Sequence, residues 1–529
     1  MRRPPGNPAP LAEQRSYTSA GQLAASALLQ LTWDSAGRIA QITQQHMLPT
    51  QSSTVAQQVA LTSAYSYDAV GRLTASAHSA PNPLTLPSGT ALSDTIGANA
   101  SGYAWDANGN RSQSYYSSST AAGTATLQRD YQLASNNNRL GGYTQTFTPA
   151  GGSAQTTNVS YIHDATGSIT KKGDSYLHYG VDGRIAKAGP NADPANALAV
   201  SYTYNALGQR VFKSDARLSG ANNPAITQQT VYAEDGIGST VLGQYGSRRS
   251  SDSAAPAGEM GSTEVIYLPT ASGPMPIAAQ INGRLYAIDA DHLNTPRRLT
   301  NTQGQVAWQW LITGFGEANP TTGATNFAQS GQGSSNYAEA IKFDLRYPGQ
   351  VFDEETQLNY NLNRSYDPPS GRYFQADPIG LDGGWNRFLY VGGNPASYTD
   401  PTGEFAIAIP LIPAIITGTD IVVGTALGTL GYGLDRMFAK PPKNAYDPNG
   451  PKAPGKPGDA EGFKDPKGGE NWMPNPNPGK GGSGYGWEDA KGDVWCPTGP
   501  TGPGSRAHGG PHWDVQTPGG GYRNERPRQ

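Results

Sequence analysis

Apolar and polar residues alternate in short runs along most of the chain, and one recurring frame punctuates the runs. An aromatic residue is followed four positions later by Gly at Trp33–Gly37, Tyr67–Gly71, Trp105–Gly109, Tyr179–Gly183, Tyr204–Gly208 and Tyr232–Gly236, and His163–Gly167 keeps the same frame. Between them stand Asp34, Asp68, Asp106, Asp164, Asp182, Asn205 and Asp235, and Arg follows the Gly at Arg38, Arg72 and Arg184. Alternation such as Tyr65-Ser66-Tyr67 before the frame and Arg72-Leu73-Thr74 after it has the period of a half-buried strand. Asp and Asn close turns through their own side chains, and Gly supplies the positive φ that follows. Each frame therefore predicts a β-hairpin, the aromatic ending one strand and Leu73, Ile39 or Ile185 opening the next. A lone hairpin is marginal, so the hairpins are expected to join edge to edge into one large sheet.

Composition agrees with this reading. Gly (67) and Pro (42) fill about a fifth of the 529 residues, and only 15% are charged, against a usual value of about 25%. A coiled coil or polyelectrolyte tail is excluded. The single cysteine, Cys496, excludes an intrachain disulfide framework and any multi-cysteine zinc or iron–sulfur site. A net charge of −3 gives no whole-chain case for nucleic acid, but its distribution is uneven. From Arg436 onward there are 13 basic and 10 acidic residues, a net +3, which leaves −6 for the first 435. Met1 to Pro10 shows no apolar run after its arginines, so no secretory signal is visible and another export route is expected.

The frame resembles the tyrosine–aspartate (YD) repeat of the RHS family, with Tyr67-Asp68-Ala69-Val70-Gly71-Arg72-Leu73 a close copy. Downstream, Asp291-His292-Leu293-Asn294-Thr295-Pro296-Arg297, Gly314-Phe315-Gly316, Arg346-Tyr347-Pro348-Gly349-Gln350, Asn361 to Tyr366 and Gly371-Arg372-Tyr373 are similar to the RHS-associated core. Asp377-Pro378-Ile379-Gly380-Leu381 through Asn394-Pro395 to Asp400-Pro401-Thr402-Gly403 closes it. The resemblance covers about residues 30–403. It implies a mostly β fold: a poorly structured lead at 1–29, a YD-repeat hairpin sheet at 30–290 and the RHS-associated core at 291–403. Family members form a spiralling β-shell around a toxic C-terminal segment. Full shells use far more chain, so an incomplete one is expected here.

Asp377 and Asp400 each open an Asp-Pro-x-Gly. As bare sequence this is a turn, with Pro second and Gly last. Two carboxylates in contact cannot both ionise, so such a pair can also act as acid and base in peptide hydrolysis. The resemblance implies that use: Asp377 and Asp400 as an aspartyl autoprotease dyad, Arg364 as the supporting cation, and Glu404–Phe405 as the cut. Glu404 stands where relatives often carry Leu.

Residues 404–436 are dominated by an apolar run from Phe405 to Leu434, long enough for a bilayer, which needs about 20 residues. It reads as a plug within the shell, as an aid to membrane crossing through transient contact by 405–434, or as a transmembrane helix. Asp420 would be costly in mid-bilayer and argues against the last. Residues 437–469 turn to Pro, Gly, Lys and Asn and read as a flexible linker.

The last segment, 470–529, concentrates Trp472, Trp487, Trp495 and Trp513, four of the nine tryptophans, together with His508 and His512. Strand signals run from Tyr485 to Asp489, at Val494-Trp495 and from His512 to Gln516, with a turn at Lys491-Gly492-Asp493. A small, mostly β domain is predicted. On an extended strand His512, Asp514 and Gln516 share one face while Trp513 and Val515 share the other. A neutral His can take a proton from a ribose 2′-OH, a second His can return one to the leaving oxygen, and Asp514 can fix a tautomer. Lys491, Arg506 and Arg523 can meet phosphate charge. Histidines at 508 and 512 with Asp514 could also ligate a divalent metal, but the Gly-Gly-Pro between them disfavours the helix such spacing usually needs. Cys496 has no flanking base and reads as a small apolar residue.

The run His508-Gly509-Gly510-Pro511-His512-Trp513-Asp514-Val515-Gln516, approached by Trp495-Cys496-Pro497, resembles the polymorphic-toxin type 37 family. That resemblance implies a nuclease with His508, His512, Asp514 and Gln516 in its site, no required cofactor, and a cognate immunity protein. The resulting expectation is a toxin delivered by secretion machinery to the cytoplasm of a competing cell, where the C-terminal domain cleaves nucleic acid, RNA ahead of DNA. A non-enzymatic YD-repeat surface protein binding through exposed Tyr and a metal-dependent DNase remain as alternatives, as does a packed His–Asp pair that only stabilises a small fold.

Overall fold

The structure is a computed structural model describing residues 14–48, 57–80, 99–120, 123–134, 137–195, 199–216, 226–246, 261–270, 273–323, 340–404, 407–408, 445–449, 453–465, 470, 472–475, 485–499, 511–517 and 522–527. The chain divides into two compact units, Met1–Leu268 with Pro274–Ile415, and Pro269–Gly273 with Ile416–Gln529.

In the first unit a 24-stranded antiparallel sheet is built as a meander, strand after strand pairing with the next in sequence. The hairpin of Gln57–Tyr67 and Leu73–Ser79 shows how the repeat works. Asp68 Oδ1 accepts the amides of Val70 (3.1 Å) and Arg72 (2.9 Å), and Oδ2 accepts Arg72 Nε at 2.6 Å. Gly71 follows at φ +90°, a conformation that a side chain would strain. The aromatic acts sideways: Tyr67 Oη donates to the carbonyl of Ile39, Trp105 Nε1 to Leu73, Tyr204 Oη to Ile185 and Tyr232 Oη to Arg210, each in the hairpin before its own. The arginine reaches the other way. Arg38 lies over the Tyr67 ring at 4.7 Å, and Arg72 donates to the Asp106 carbonyl in the next turn. Two further turns of this type, Asp291–Thr295 and Asn301–Gln305, escape the aromatic frame because Ala290 and Thr300 fill the aromatic slot. Residues 14–29, expected to belong to an unstructured lead, instead include strands Ser16–Tyr17 and Leu23–Ala25 and bury Leu23, Leu28 and Leu29. Leucine burial there outweighs the polar character of the flanking residues.

A second, four-stranded antiparallel sheet follows: Val351–Asp353, Leu358–Asn361, Arg364–Asp367 and Arg372–Tyr373. It is fixed to the large sheet by a two-pronged Arg210–Asp353 pair (2.5 and 2.8 Å) and by Lys172–Asp367 at 2.7 Å. Trp308, Trp310, Phe343, Tyr347, Tyr366, Tyr373 and Tyr390 pack around it in one buried aromatic cluster. Beyond it, Ile407–Ala408 pairs with Tyr398–Thr399. The rest of the 405–434 run lies outside the described residues. Among the described residues no helix is long and apolar enough to cross a membrane.

The second unit carries a five-stranded antiparallel sheet: Trp472–Pro474, Tyr485–Glu488, Val494–Pro497, Trp513–Gln516 and Tyr522–Glu525. One face buries Trp472, Trp487, Trp495, Trp513 and Val515 together with Ala445 and Phe463. The described part of 437–469 is therefore packed, not a free linker. Phe463 meets Trp495 edge-on at 5.7 Å, Trp513 Nε1 donates to the Gly455 carbonyl, and Gly499 N donates to the Ala453 carbonyl. The Pro- and Gly-rich composition concealed this because one phenylalanine carries most of the burial. The turn between the second and third strands repeats the hairpin chemistry of the first unit. Asp489 Oδ1 accepts the amides of Lys491 (2.9 Å) and Asp493 (3.0 Å), and Trp495 Nε1 takes Oδ2 at 3.1 Å.

Candidate functional site

Both stretches singled out for chemistry form buried polar centres, one in each unit. In the first, Arg364 stands between Asp377 and Asp400: Nη1 is 2.9 Å from Asp377 Oδ2 and Nη2 is 3.1 Å from Asp400 Oδ2. The expected dyad is thus bridged by the cation and not closed by a shared proton. All three side chains are buried. Asp400 is the more fully held. Its Oδ2 also accepts Tyr373 Oη at 2.7 Å, and its Oδ1 accepts the Glu404 amide at 3.0 Å. Asn361 Nδ2 bonds both Tyr373 Oη and the Asp400 carbonyl at 2.8 Å, and the Arg364 guanidinium lies 3.7 Å over the Tyr373 ring.

Asp377 has fewer partners. Its Oδ1 accepts the Ile379 amide at 3.1 Å, and the same motif closes a turn through Gly380 N to the Asp377 carbonyl. Turn and site are thus one arrangement. Burial pushes the Asp377 carboxyl up to about 6 against the opposing pull of Arg364. Burial raises Asp400 too, opposed by Arg364 and the Tyr373 hydroxyl, and it raises Glu404, helped by the Asp400 charge. The chain crosses this centre at Gly403–Glu404, one peptide before the expected cut. Arg364 Nε donates to the Gly403 carbonyl, and Asp400 receives the Glu404 amide, so one peptide unit is clamped at both ends. The parts of Tyr373 and Asn361 were not reached from sequence, because each rests on hydrogen bonds between segments that no spacing encodes.

In the second unit His512 Nε2 lies 3.3 Å from Asp514 Oδ1, with both side chains buried. Gln516 is fully buried two residues on, and neither atom of its amide finds a hydrogen-bond partner among the described residues. Such an orphaned amide is uncommon in a settled core and suits a site that receives a polar ligand. The Trp513 and Val515 side chains face the tryptophan core, as alternation requires. Register places Asp514 opposite Cys496 and Asn524, and Gln516 opposite Val494 and Tyr522. Glu488, paired with Val494, adds a second buried carboxylate to this face. Thr498 accepts the His512 amide at 3.1 Å and donates to its carbonyl, which fixes the start of the strand.

Neither of the two predicted cations among the described residues, Lys491 and Arg523, joins this group. Arg523 is opposite Val515, on the tryptophan face, over the Trp495 ring and paired with Asp493 (2.8 Å) and Glu525 (3.2 Å). Lys491 is exposed in the Asp489 turn. His508 and Arg506 lie outside the described residues, so the structure does not place them. Among the described residues no three His, Cys, Asp or Glu side chains converge to hold a metal ion.

Residues 451–529 match the model of the bacterial toxin 37 family. Over 241 residues, 42% of this chain and 15% of the relative, the sequence is 27% identical to double-stranded DNA deaminase toxin A of Burkholderia cenocepacia. It is 35% identical over 142 residues to toxin protein Tse5 of Pseudomonas aeruginosa, covering 26% of this chain and 9% of that one. A protein of Dickeya dadantii named "Probable deoxyribonuclease RhsA" is 34% identical over 109 residues, 21% of this chain and 7% of its own length. The chain thus spans a small fraction of each relative. Among solved structures, the crystal structure of TcdB2-TccC3-Cdc42 aligns with 74% of this chain and 20% of its own at a TM-score of 0.45 and 18% identity.

Proposed function

We propose that the chain is an RHS-type polymorphic toxin in which a β-sheet carrier, residues 30–403, precedes a nucleic-acid-cleaving effector that includes the bacterial toxin 37 match at 451–529. The observation that carries the effector reading is the buried His512–Asp514 pair, with Gln516 beside it, on the sheet face away from the tryptophan core. Beside Asp514, His512 would be the base that takes a proton from water or a ribose 2′-OH as it attacks phosphorus. The Gln516 amide would hold a phosphate or base edge, and His508 would return the proton to the leaving oxygen. The 2′-OH chemistry favours RNA, and the deoxyribonuclease names of relatives support DNA as the alternative substrate. A cognate immunity protein, secretion machinery and a recipient cell complete the picture.

The Asp377–Arg364–Asp400 centre would sever Glu404–Phe405. Water adds to the Glu404 carbonyl carbon, the C–N bond breaks, and the proton released by water ends on the Phe405 nitrogen, leaving a carboxyl and an amine. Induction of the whole chain in bacteria beside His512→Ala and Asp377→Asn tests both halves. Growth arrest with fragmented RNA or plasmid, lost in His512→Ala, supports the effector reading; arrest that His512→Ala leaves unchanged would overturn it. A cut at Glu404, lost in Asp377→Asn, supports the protease reading.

A further inference from the structure

Three neighbouring glycines of the core, Gly380, Gly383 and Gly384, differ in what requires them. Gly380 (φ +70°) and Gly384 (φ +124°) occupy backbone conformations that disfavour a side chain, and nothing lies within 4 Å of a Cβ built on either. Gly383 is the reverse. Its backbone lies outside the left-handed region, so any residue could adopt it, yet a Cβ there would collide with Asp377 Oδ2 and sit 2.9 Å from the Glu404 carbonyl oxygen. The carboxylate and the carbonyl therefore flank one glycine, and a hydrogen atom is all that stands on that side.

We propose that Gly383 is a positioning residue for the self-cleavage step: its missing side chain is the space through which the Asp377 carboxyl reaches the Glu404 carbonyl oxygen. This rests on the self-cleavage reading above. The two acids then divide the task. Asp400, with Arg364, Tyr373 and the Glu404 amide on its oxygens, is the fixed anion that clamps the chain. Asp377 Oδ2, held by Arg364 alone, turns toward the carbonyl. Its neutral form donates a hydrogen bond to Glu404 O while water adds to the carbon, and the electron pair of the breaking C–N bond leaves with Phe405 nitrogen, which takes the proton lost by water. Burial raises the Asp377 pKa to about 6, which keeps that neutral form populated near pH 6. A methyl group at position 383 would push the carboxyl aside and crowd the Glu404 carbonyl oxygen, without putting position 383 itself in a strained φ.

The test uses the whole chain, with the uncut fraction followed over time for wild type, Gly383→Ala, Leu381→Ala and Asp377→Asn. Leu381 is exposed beside the same loop and serves as the control. Gly383→Ala should slow the cut at least tenfold with an unchanged melting temperature. Its residual cleavage should also follow a displaced pH profile, which a purely structural defect would not produce. Leu381→Ala should cleave as wild type. If Asp377→Asn stops the cut and Gly383→Ala cleaves at the wild-type rate and pH profile, the positioning role is wrong while the self-cleavage reading survives. A wild-type chain that stays whole sinks both. Should Gly383→Ala melt lower, Gly383→Ser at matched folded fraction gives the same decision.

Discussion

The two polar centres are buried to a similar degree and built on opposite plans. The Asp377 centre draws Arg364 from a strand, Tyr373 from the next, Asp377 and Gly383 from a loop and Asp400 from a later turn, so its geometry exists only when four segments of the core have docked. The His512 centre is carried by alternate positions of one strand, Trp513–Gln516, and the residue that leads into it. Buried charge explains the difference. A guanidinium between two carboxylates is tolerable only with every prong met, which calls for many elements, whereas an imidazole beside one carboxylate can be held locally.

The largest effect expected from breaking this contrast is at Arg364. Arg364→Ala leaves two buried carboxylates facing each other, which should cost about 3–5 kcal/mol in the first unit and abolish the cut, measured by denaturant unfolding and gel. In the second unit Gly486 gives the comparable point of strain. A Cβ there would lie 2.6 Å from the Trp495 carbonyl carbon and 2.8 Å from Cys496 Cα, so Gly486→Ala should destabilise that unit by roughly 1–3 kcal/mol and lower toxicity with it, readable as a shifted unfolding midpoint.

A pH series sharpens the contrast further. Asp377 is surrounded by Arg364, Asp400 and Glu404, with the Arg387 guanidinium on its carbonyl, and its folded value of about 6 lies above the ordinary 3.8. A raised carboxyl favours folding while protonated, so its contribution is present below pH 4 and is lost as pH rises through about 6. Cleavage that uses the neutral acid should fall about tenfold per pH unit above that point, followed on the isolated uncut chain. The smallest effect belongs to Arg523. On the tryptophan face and partly exposed, its pairs should be worth at most about 1 kcal/mol, and Arg523→Ala should leave toxicity within about twofold; a large loss would place the substrate on the wrong side of the sheet.

The hairpins could be read in the sequence because their chemistry is local: Asp, Gly and Arg of one turn satisfy one another within five residues. The alternation that puts His512, Asp514 and Gln516 together was legible for the same reason. Arg523 was misplaced because its face depends on register across a turn, which composition does not set. Phe463 was hidden in a Pro- and Gly-rich stretch, and Gly383 was hidden among glycines that serve the backbone. Cys496 was set aside for want of a flanking base in sequence, yet it lies directly opposite Asp514 in the sheet.

The sideways bonds of the repeat have a consequence for how the large sheet yields and how it could have grown. Tyr67, Trp105, Tyr204 and Tyr232 each fasten a hairpin to the one before it, and Trp105 and Tyr204 also meet the core at Phe315 and Tyr360. The clasps themselves are nearest-neighbour, so a pull from one end would undo them in succession, like a zipper that catches wherever a hairpin is also tied to the core, as at Arg210–Asp353 and Lys172–Asp367. The same modularity means that a duplicated or deleted hairpin meets an identical clasp on either side, so such a sheet can change length over generations without its chemistry being reinvented.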